Sequence, residues 1–328
     1  MTRHALDPDT LQTVLTLATR APSIHNSQPW RWRVAAHDEL RLYRDPALQL
    51  LRTDPDGRDL LVSCGATLHH CVVALAALGW RATVQRLPDP ADPDLLATLR
   101  VGPGQRPPAD TDSTLAAAIA RRRTDRRHYS SRPVPAADIA LMGARAARLG
   151  VMLRRFDTLD ALTVVVAHAV TRHLVDHDYL AELATWSGRY GSLAGVPARS
   201  TPAADSAATL PGRLFAGPAL AQPPHASAGA DHGVFVALGT AADDRLARLR
   251  AGEATSVVLL TATALGLASC PVTEPLEIDD TRAAVRADVF GTSGYPQMML
   301  RIGWAPTDAD PLPATPRRQL ADVVAWTS

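Results

Sequence analysis

The apolar residues Leu11, Val14, Leu15, Leu17 and Ala18 recur at helical spacing and predict an amphipathic helix over 8–20. Pro22 ends it, because proline has no N–H to donate and the residue before it avoids helical dihedrals. Trp30 to Val34 alternate apolar with polar, which predicts a half-buried strand over 30–35; a second follows at 39–44. The long apolar stretch from Gly57 to Leu78 reads as a helix closed by Gly79. Strands are predicted over 80–87 and 95–101, and the Gly-, Pro- and Asp-rich residues 102–112 read as a linker.

The pattern then restarts. Helices are predicted over 113–122 and 135–149, a strand over 151–156, and helical structure over 159–186. Residues 187–231, full of Gly, Pro, Ala and Ser, read as a long irregular insertion. A strand at 233–238, a helix at 251–265 closed by Gly266 and a strand at 297–303 complete the series. The uncharged run from Ser256 to Val272 is about 17 residues, short for a membrane span, and reads as a buried helix.

Landmarks repeat between these two series. Gly65 and Gly79 are fourteen positions apart, as are Gly252 and Gly266. Ala77-Leu78-Gly79 matches Ala264-Leu265-Gly266, and Leu99-Arg100-Val101-Gly102 matches Leu300-Arg301-Ile302-Gly303. Shared order and spacing predict an internal duplication, with halves at 1–108 and 109–328 and residues 187–231 inserted in the second. Each half keeps something the other lacks. The first has the loop Pro22-Ser23-Ile24-His25-Asn26-Ser27-Gln28-Pro29-Trp30; the second has Arg121-Arg122-Arg123-Thr124-Asp125-Arg126-Arg127. Packed as a pseudo-dimer, the halves bring both to one composite site.

Asn26 and Gln28 carry amide donors and acceptors that suit the edge of a planar heterocycle, although Ser, Asn and Pro are also ordinary turn residues. Five Arg in seven residues make a dianion site, since guanidinium stays charged and binds phosphate bidentately; a solvated basic face is the alternative. Arg317-Arg318 could complete that grip. Leu267 to Glu274 leaves a helix through a glycine turn, with backbone N–H groups free to face a ligand or to serve a plain loop. His69 and His70 are adjacent on a helix and face different ways, which disfavours a shared metal. His168, His173 and His177 have loosely metal-like spacing without a supporting Cys or Glu constellation.

Composition narrows the chemistry. The chain has 328 residues, 46% of them apolar, and a net charge of +1, which gives no electrostatic case for nucleic acid or membrane. All 34 basic residues are Arg, so Schiff-base and P-loop lysine chemistry is excluded. The three cysteines Cys64, Cys71 and Cys270 lack a C-x-x-C pair and read as buried thiols. The first residues show no apolar signal region, so a cytoplasmic location is expected.

Together the Pro-Ser-x-x-Asn-x-Gln-Pro-Trp loop, the Arg-Arg-Thr-x-Arg run and Ala-Leu-Gly-Leu-Ala-Ser-x-Pro resemble the FMN-dependent nitroreductase superfamily. The duplicated single chain resembles its Acg-type branch, as do Glu182 to Trp186 with Gly195-Val196-Pro197. The resemblance implies an α+β nitroreductase-like fold, internally duplicated as a pseudo-dimer with a lid, a monomer that mimics the usual homodimer. It also implies one FMN at the interface of the halves. Arg122, Arg123, Thr124 and Arg126 would hold phosphate and ribityl, and Arg317 the phosphate. Pro22, Ser23, Ile24 and Asn26 would cross over from the opposite half. Pro271, Val272 and Thr273 would lie near flavin N5, and Arg126 would stabilise the reduced flavin. The function implied is NAD(P)H-dependent reduction of a small-molecule acceptor, a nitroaromatic or quinone, with no protein acid required. The competing reading is a protein that sequesters FMN beneath its lid with little turnover.

Overall fold

The computed structural model describes residues 6–36, 38–205, 208, 210–223, 227, 229 and 231–326. The expectation about the first residues therefore falls partly outside the described residues, as does part of that about 187–231.

The first sheet contains β1 (Trp30–Ala36), β2 (Glu39–Arg44), β3 (Trp80–Arg86) and β4 (Leu95–Pro103), with β9 (Val324–Trp326) added from the far end of the chain. Its order is β3-β4-β2-β1-β9. The second contains β5 (Met152–Arg155), β6 (Val234–Thr240), β7 (Ala268–Pro271) and β8 (Tyr295–Gly303), in the order β7-β8-β6-β5. Pairing is antiparallel throughout except between β9 and β1, where Val324 lies opposite Trp32. The helices are α1 (Pro8–Ala18), α2 (Arg58–Ala77), α3 (Asp110–Arg121), α4 (Ala136–Ala147), α5 (Asp160–Leu174), α6 (His177–Trp186), α7 (Arg245–Ala264), α8 (Asp279–Val285) and the short α9 (Leu320–Val323).

The series α1-β1-β2-α2-β3-β4 recurs in order as α4-β5-β6-α7-β7-β8, with the same sheet order. Helices α2 and α7 are each 20 residues long, and the glycines that follow them, Gly79 and Gly266, have φ of +81° and +82°. The two helices pack against each other at Gly65 and Gly252. A Cβ on Gly65 would sit 2.0 Å from the Leu249 carbonyl oxygen, and one on Gly252 would sit 2.0 Å from the Val62 carbonyl oxygen. This reciprocal contact is what a two-fold relation between the helices produces. One turn on, His69 Nδ1 meets Ser256 Oγ at 2.7 Å, joining the residues that follow the two glycines by four.

Three expectations need correction. Residues 159–186 are two helices, because the Asp176 carboxylate accepts from the Tyr179 N–H at 3.0 Å and caps a new one. The run from Ser256 stops being helical at Ala264, and residues 268–271 form the edge strand β7. His69 and His70 do not diverge: both Nδ1 atoms meet the Ser256 hydroxyl, at 2.7 and 2.8 Å. Among the described residues no group of three or more His, Cys, Asp or Glu side chains is placed to hold a metal ion. Among the described residues α2 is the helix long and apolar enough to cross a membrane, but most of it is buried inside the fold.

Candidate functional site

Residues 21–29 leave α1 in a strained path. His25, Asn26 and Gln28 have φ of 42°, 54° and 55°, a left-handed region that non-glycine residues enter at a cost. Hydrogen bonds hold the path. The Ile24 N–H donates to Ser63 Oγ on α2 at 3.0 Å, and the Gln28 N–H donates to Ser23 Oγ at 2.9 Å. The Asn26 amide donates to the carbonyls of Gly195 (3.1 Å) and Pro316 (3.2 Å) and accepts from Arg317 (3.0 Å). Gln28 donates to the Leu193 carbonyl at 2.8 Å and accepts from the Arg318 N–H at 2.8 Å. Both amides are thus engaged with the 187–231 segment and the C-terminal tail. Asn26 still borders a cavity; Gln28 lies behind its wall.

That cavity has a volume of about 260 Å³, close to the lower end of ordinary ligand pockets. One side is lined by residues 22–26 and the α2 face of Asp59, Val62, Ser63 and Ala66. Opposite them stand Arg122, Thr124, Arg126, Thr255, Leu259 and Met298, with Arg317 from the tail.

The arginine run divides by function. Arg122 is 6% exposed, and its Nε and Nη1 have no hydrogen-bond partner. Burial, with help from the charges of Arg123 and Arg20, pushes its guanidinium down to about 10. Arg126 donates to the Ser200 carbonyl at 3.0 Å and lies 4.9 Å over the Phe215 ring. Arg123 turns away from the cavity to the carbonyls of Ala120 (2.8 Å) and Arg122 (2.9 Å). Arg127 pairs with Asp125 at 2.9 Å, and Arg121 is exposed.

Arg317 borders the cavity, but its N–H groups are spent elsewhere. They reach the carbonyls of Thr19 (3.2 Å), Arg20 (2.9 Å), Ala21 (3.0 Å) and Pro316 (2.9 Å) and the side chain of Asn26. It clamps the end of α1 and contributes charge rather than free donors. Arg318, by contrast, lies off the cavity and donates to the Asp322 carbonyl at 3.3 Å. Among the described residues Arg20, Arg122, Arg123 and Arg317 have no carboxylate partner. A buried cation with two idle N–H groups, set among other unpaired cations, has the donors and the charge to accept an anion.

At the other end, the turn after β7 closes the cavity. The Val272 N–H donates to the Met299 carbonyl at 2.9 Å and Pro271 has none, so this turn offers fewer free N–H groups than its sequence predicts. The Thr273 hydroxyl donates to Glu277 at 2.9 Å. Arg213, from the 187–231 segment, ties this end together. It donates to His25 Nε2 (3.0 Å), the Tyr179 hydroxyl (2.9 Å), Thr273 Oγ1 (3.3 Å) and the Glu277 carboxylate. Burial and the neighbouring guanidiniums push His25 well below its usual range, so it is neutral. Since Arg213 can only donate, His25 Nε2 is the acceptor and Nδ1 carries the proton.

No family model matches the chain. It is 63% identical over 326 residues, 99% of this chain and 94% of the relative, to "Putative NAD(P)H nitroreductase Rv3131" of Mycobacterium tuberculosis. It is 37% identical over 327 residues to "Putative NAD(P)H nitroreductase acg" of the same organism, covering 96% of this chain and 95% of that one. The chain belongs to this nitroreductase family. A solved nitroreductase with bound FMN from Desulfitobacterium hafniense is 12% identical, covers 66% of this chain and 98% of its own, and has a TM-score of 0.41. One from Bacteroides fragilis is 15% identical, with a TM-score of 0.39 over 60% of this chain and 90% of its own.

Several residues of the nitroreductase cavity escape sequence reasoning. Arg213 stands alone in a Gly-, Pro- and Ala-rich stretch with no periodic context. Asp59 falls at the start of a predicted helix and Cys270 in a run that reads as a buried helix, so neither stands out. His25 had a signal, its place inside the strained loop, but one histidine among turn residues carries little information.

Proposed function

We propose that this protein is an FMN-dependent oxidoreductase that takes hydride from NAD(P)H and passes it to a small nitroaromatic or quinone acceptor. The observation that carries the reading is Arg122, a buried guanidinium with idle donors at one end of a cavity built from both halves of the chain. The donor set fits a terminal phosphate: Arg122 and Thr124 would hold it, with Arg20 and Arg317 supplying charge. The apolar walls of Val62, Ala66, Leu259 and Met298 fit a flat ring system. When bound, FMN supplies the hydride chemistry; the protein supplies position and charge. Arg126 has no carboxylate partner among the described residues and would favour negative charge at the ring's far end. In this reading the halves divide at 1–108 and 109–328, one chain acts as a monomer, and the protein works in the cytoplasm.

A second reading is favoured by the 187–231 segment, which borders the cavity through Val196, Pro197, Ser200, Leu210, Arg213 and Phe215. Such a cover suits a protein that sequesters FMN. Visible spectra of the purified protein before and after anaerobic NADPH test the cofactor. Steady-state NADPH oxidation with menadione and nitrofurazone separates the readings: turnover supports the enzyme, and a bound flavin without turnover supports sequestration.

A further inference from the structure

His25 borders the cavity and its ring is held from two sides. Arg213 Nη1 donates to its Nε2 at 3.0 Å. That guanidinium is itself fixed, because it also donates to the Tyr179 hydroxyl (2.9 Å), to Thr273 Oγ1 (3.3 Å) and to the Glu277 carboxylate. The Phe215 ring meets the imidazole edge to face, with centroids 6.0 Å apart and planes at 70°. Arg126 lies 4.9 Å over the same Phe215 ring. Arg126, Arg213 and Phe215 border the cavity as His25 does.

A guanidinium has no lone pair to offer, so Nε2 accepts and the ring proton is on Nδ1. His25 is 8% exposed, and its Nδ1 has no hydrogen-bond partner among the described residues. The cations beside it cannot supply one, since Arg126 and Arg213 only donate. Burial and those two guanidiniums oppose a second proton on the ring. The outcome is a neutral imidazole in one tautomer, on a backbone held at φ +42°, with an N–H that lacks an acceptor. Buried donors in folded proteins are nearly always satisfied, and one left open beside a cavity is satisfied by a ligand lone pair.

We propose that His25 donates its Nδ1–H to an uncharged sp2 oxygen of a planar ligand in the cavity, and that Arg213 is the positioning residue that fixes the tautomer. This rests on the FMN-dependent reading above. The oxygen is a flavin carbonyl, or the carbonyl or nitro oxygen of an acceptor stacked on the flavin. A neutral N–H suits an uncharged oxygen, and the flanking guanidiniums favour the negative charge that such an oxygen gains on reduction.

Nitrogen-15 NMR of the full chain, labelled at histidine, tests the donor without turnover. In the FMN-free protein at pH 7, the ring whose signals vanish in His25→Asn should show a protonated Nδ1 and a bare Nε2. Arg213→Met frees Nε2 and should give a mixture of the two tautomers, which the loss of a merely structural arginine would not. If the partner is the flavin, the Nδ1–H signal shifts when FMN is added. If it is the acceptor, the signal shifts only when menadione is then added to the oxidised protein. Binding divides in the same way. His25→Phe keeps a ring and removes the donor, so it should weaken FMN about tenfold in the first case. In the second it should raise the KM for menadione about tenfold and leave FMN affinity unchanged. His25→Asn keeps a donor near Nδ1 and tolerates the left-handed backbone, so it should recover most of the loss. Should His25→Phe not fold, the spectra carry the test. A ring protonated on Nε2 in the free protein, an N–H signal that neither ligand moves, or FMN affinity and KM both unchanged in His25→Phe overturns the proposal. A protein that binds no FMN overturns the oxidoreductase reading, and the ligand contact with it, while leaving the tautomer standing.

Discussion

Arg122 and Arg317 both border the cavity, yet their surroundings assign them different work. Arg122 has idle donors, so Arg122→Ala should remove a charge-assisted phosphate contact worth about 1.5–3 kcal/mol and weaken FMN binding roughly tenfold to a hundredfold. Arg317 has spent its donors on the end of α1, so Arg317→Ala should chiefly lower the melting temperature of the FMN-free protein. Fluorescence titration and thermal melts of both variants check the contrast. Asp54 gives a pH expectation. Its folded value, about 7, lies above the ordinary 3.8, so between those values the folded chain holds a proton that the unfolded chain has lost. Stability from this group is therefore present at low pH and lost as pH rises toward 7. Urea unfolding at pH 5 and pH 8 should show a smaller fall for Asp54→Asn than for the natural protein. The sequence singles out the arginine run as a candidate anion site, because five clustered arginines carry that much information. It does not show which arginine has its donors free, because that depends on carbonyls and carboxylates remote in the chain.

At the scale of elements, periodicity finds most helices and strands, and the misses have physical causes. Helical spacing runs unbroken through Leu174 and His177, and the capping Asp176 is the local signal of the break. Strand β7 is four residues long and β9 three, so each is defined by its partner strand rather than by its own pattern. The 187–231 segment reads as irregular, and its described residues are mostly so, but its sequence does not reveal that the Arg213 side chain is only 8% exposed. Arg213 links that segment to the His25 loop, to α6 and to the turn after β7. Arg213→Met should loosen the segment. Reduction of bound flavin by NADPH, followed by stopped-flow absorbance, should then speed up; equal rates would mean that the segment does not gate the cavity.

The whole molecule explains why one cofactor is expected per chain. Val84 lies opposite Leu99 in the first sheet as Pro271 lies opposite Leu300 in the second, so Arg86 occupies the place of Thr273. Ala66 follows Gly65 as Glu253 follows Gly252. Ala66 and Thr273 border the cavity; at the equivalent place on the far side, Arg86 and Glu253 fill the space with a two-pronged ion pair at 2.7 and 2.8 Å. Two small side chains leave room for a ligand, and two long paired ones close it. The side chains are unequally buried, 23% exposed for Arg86 and 2% for Glu253. Arg86→Ala therefore strands a buried carboxylate, at a cost of about 3–5 kcal/mol, while Glu253→Ala leaves a cation that can turn to water and should cost less. The loss in Arg86→Ala should ease at low pH, where Glu253, already pushed up by burial, takes a proton. Removing both side chains restores the small pair, but the arginine run has no counterpart in the first half. FMN titration of apo-protein should therefore saturate at one equivalent in the double variant as in the natural chain, and a second equivalent would mean that the ion pair alone had kept the far site shut.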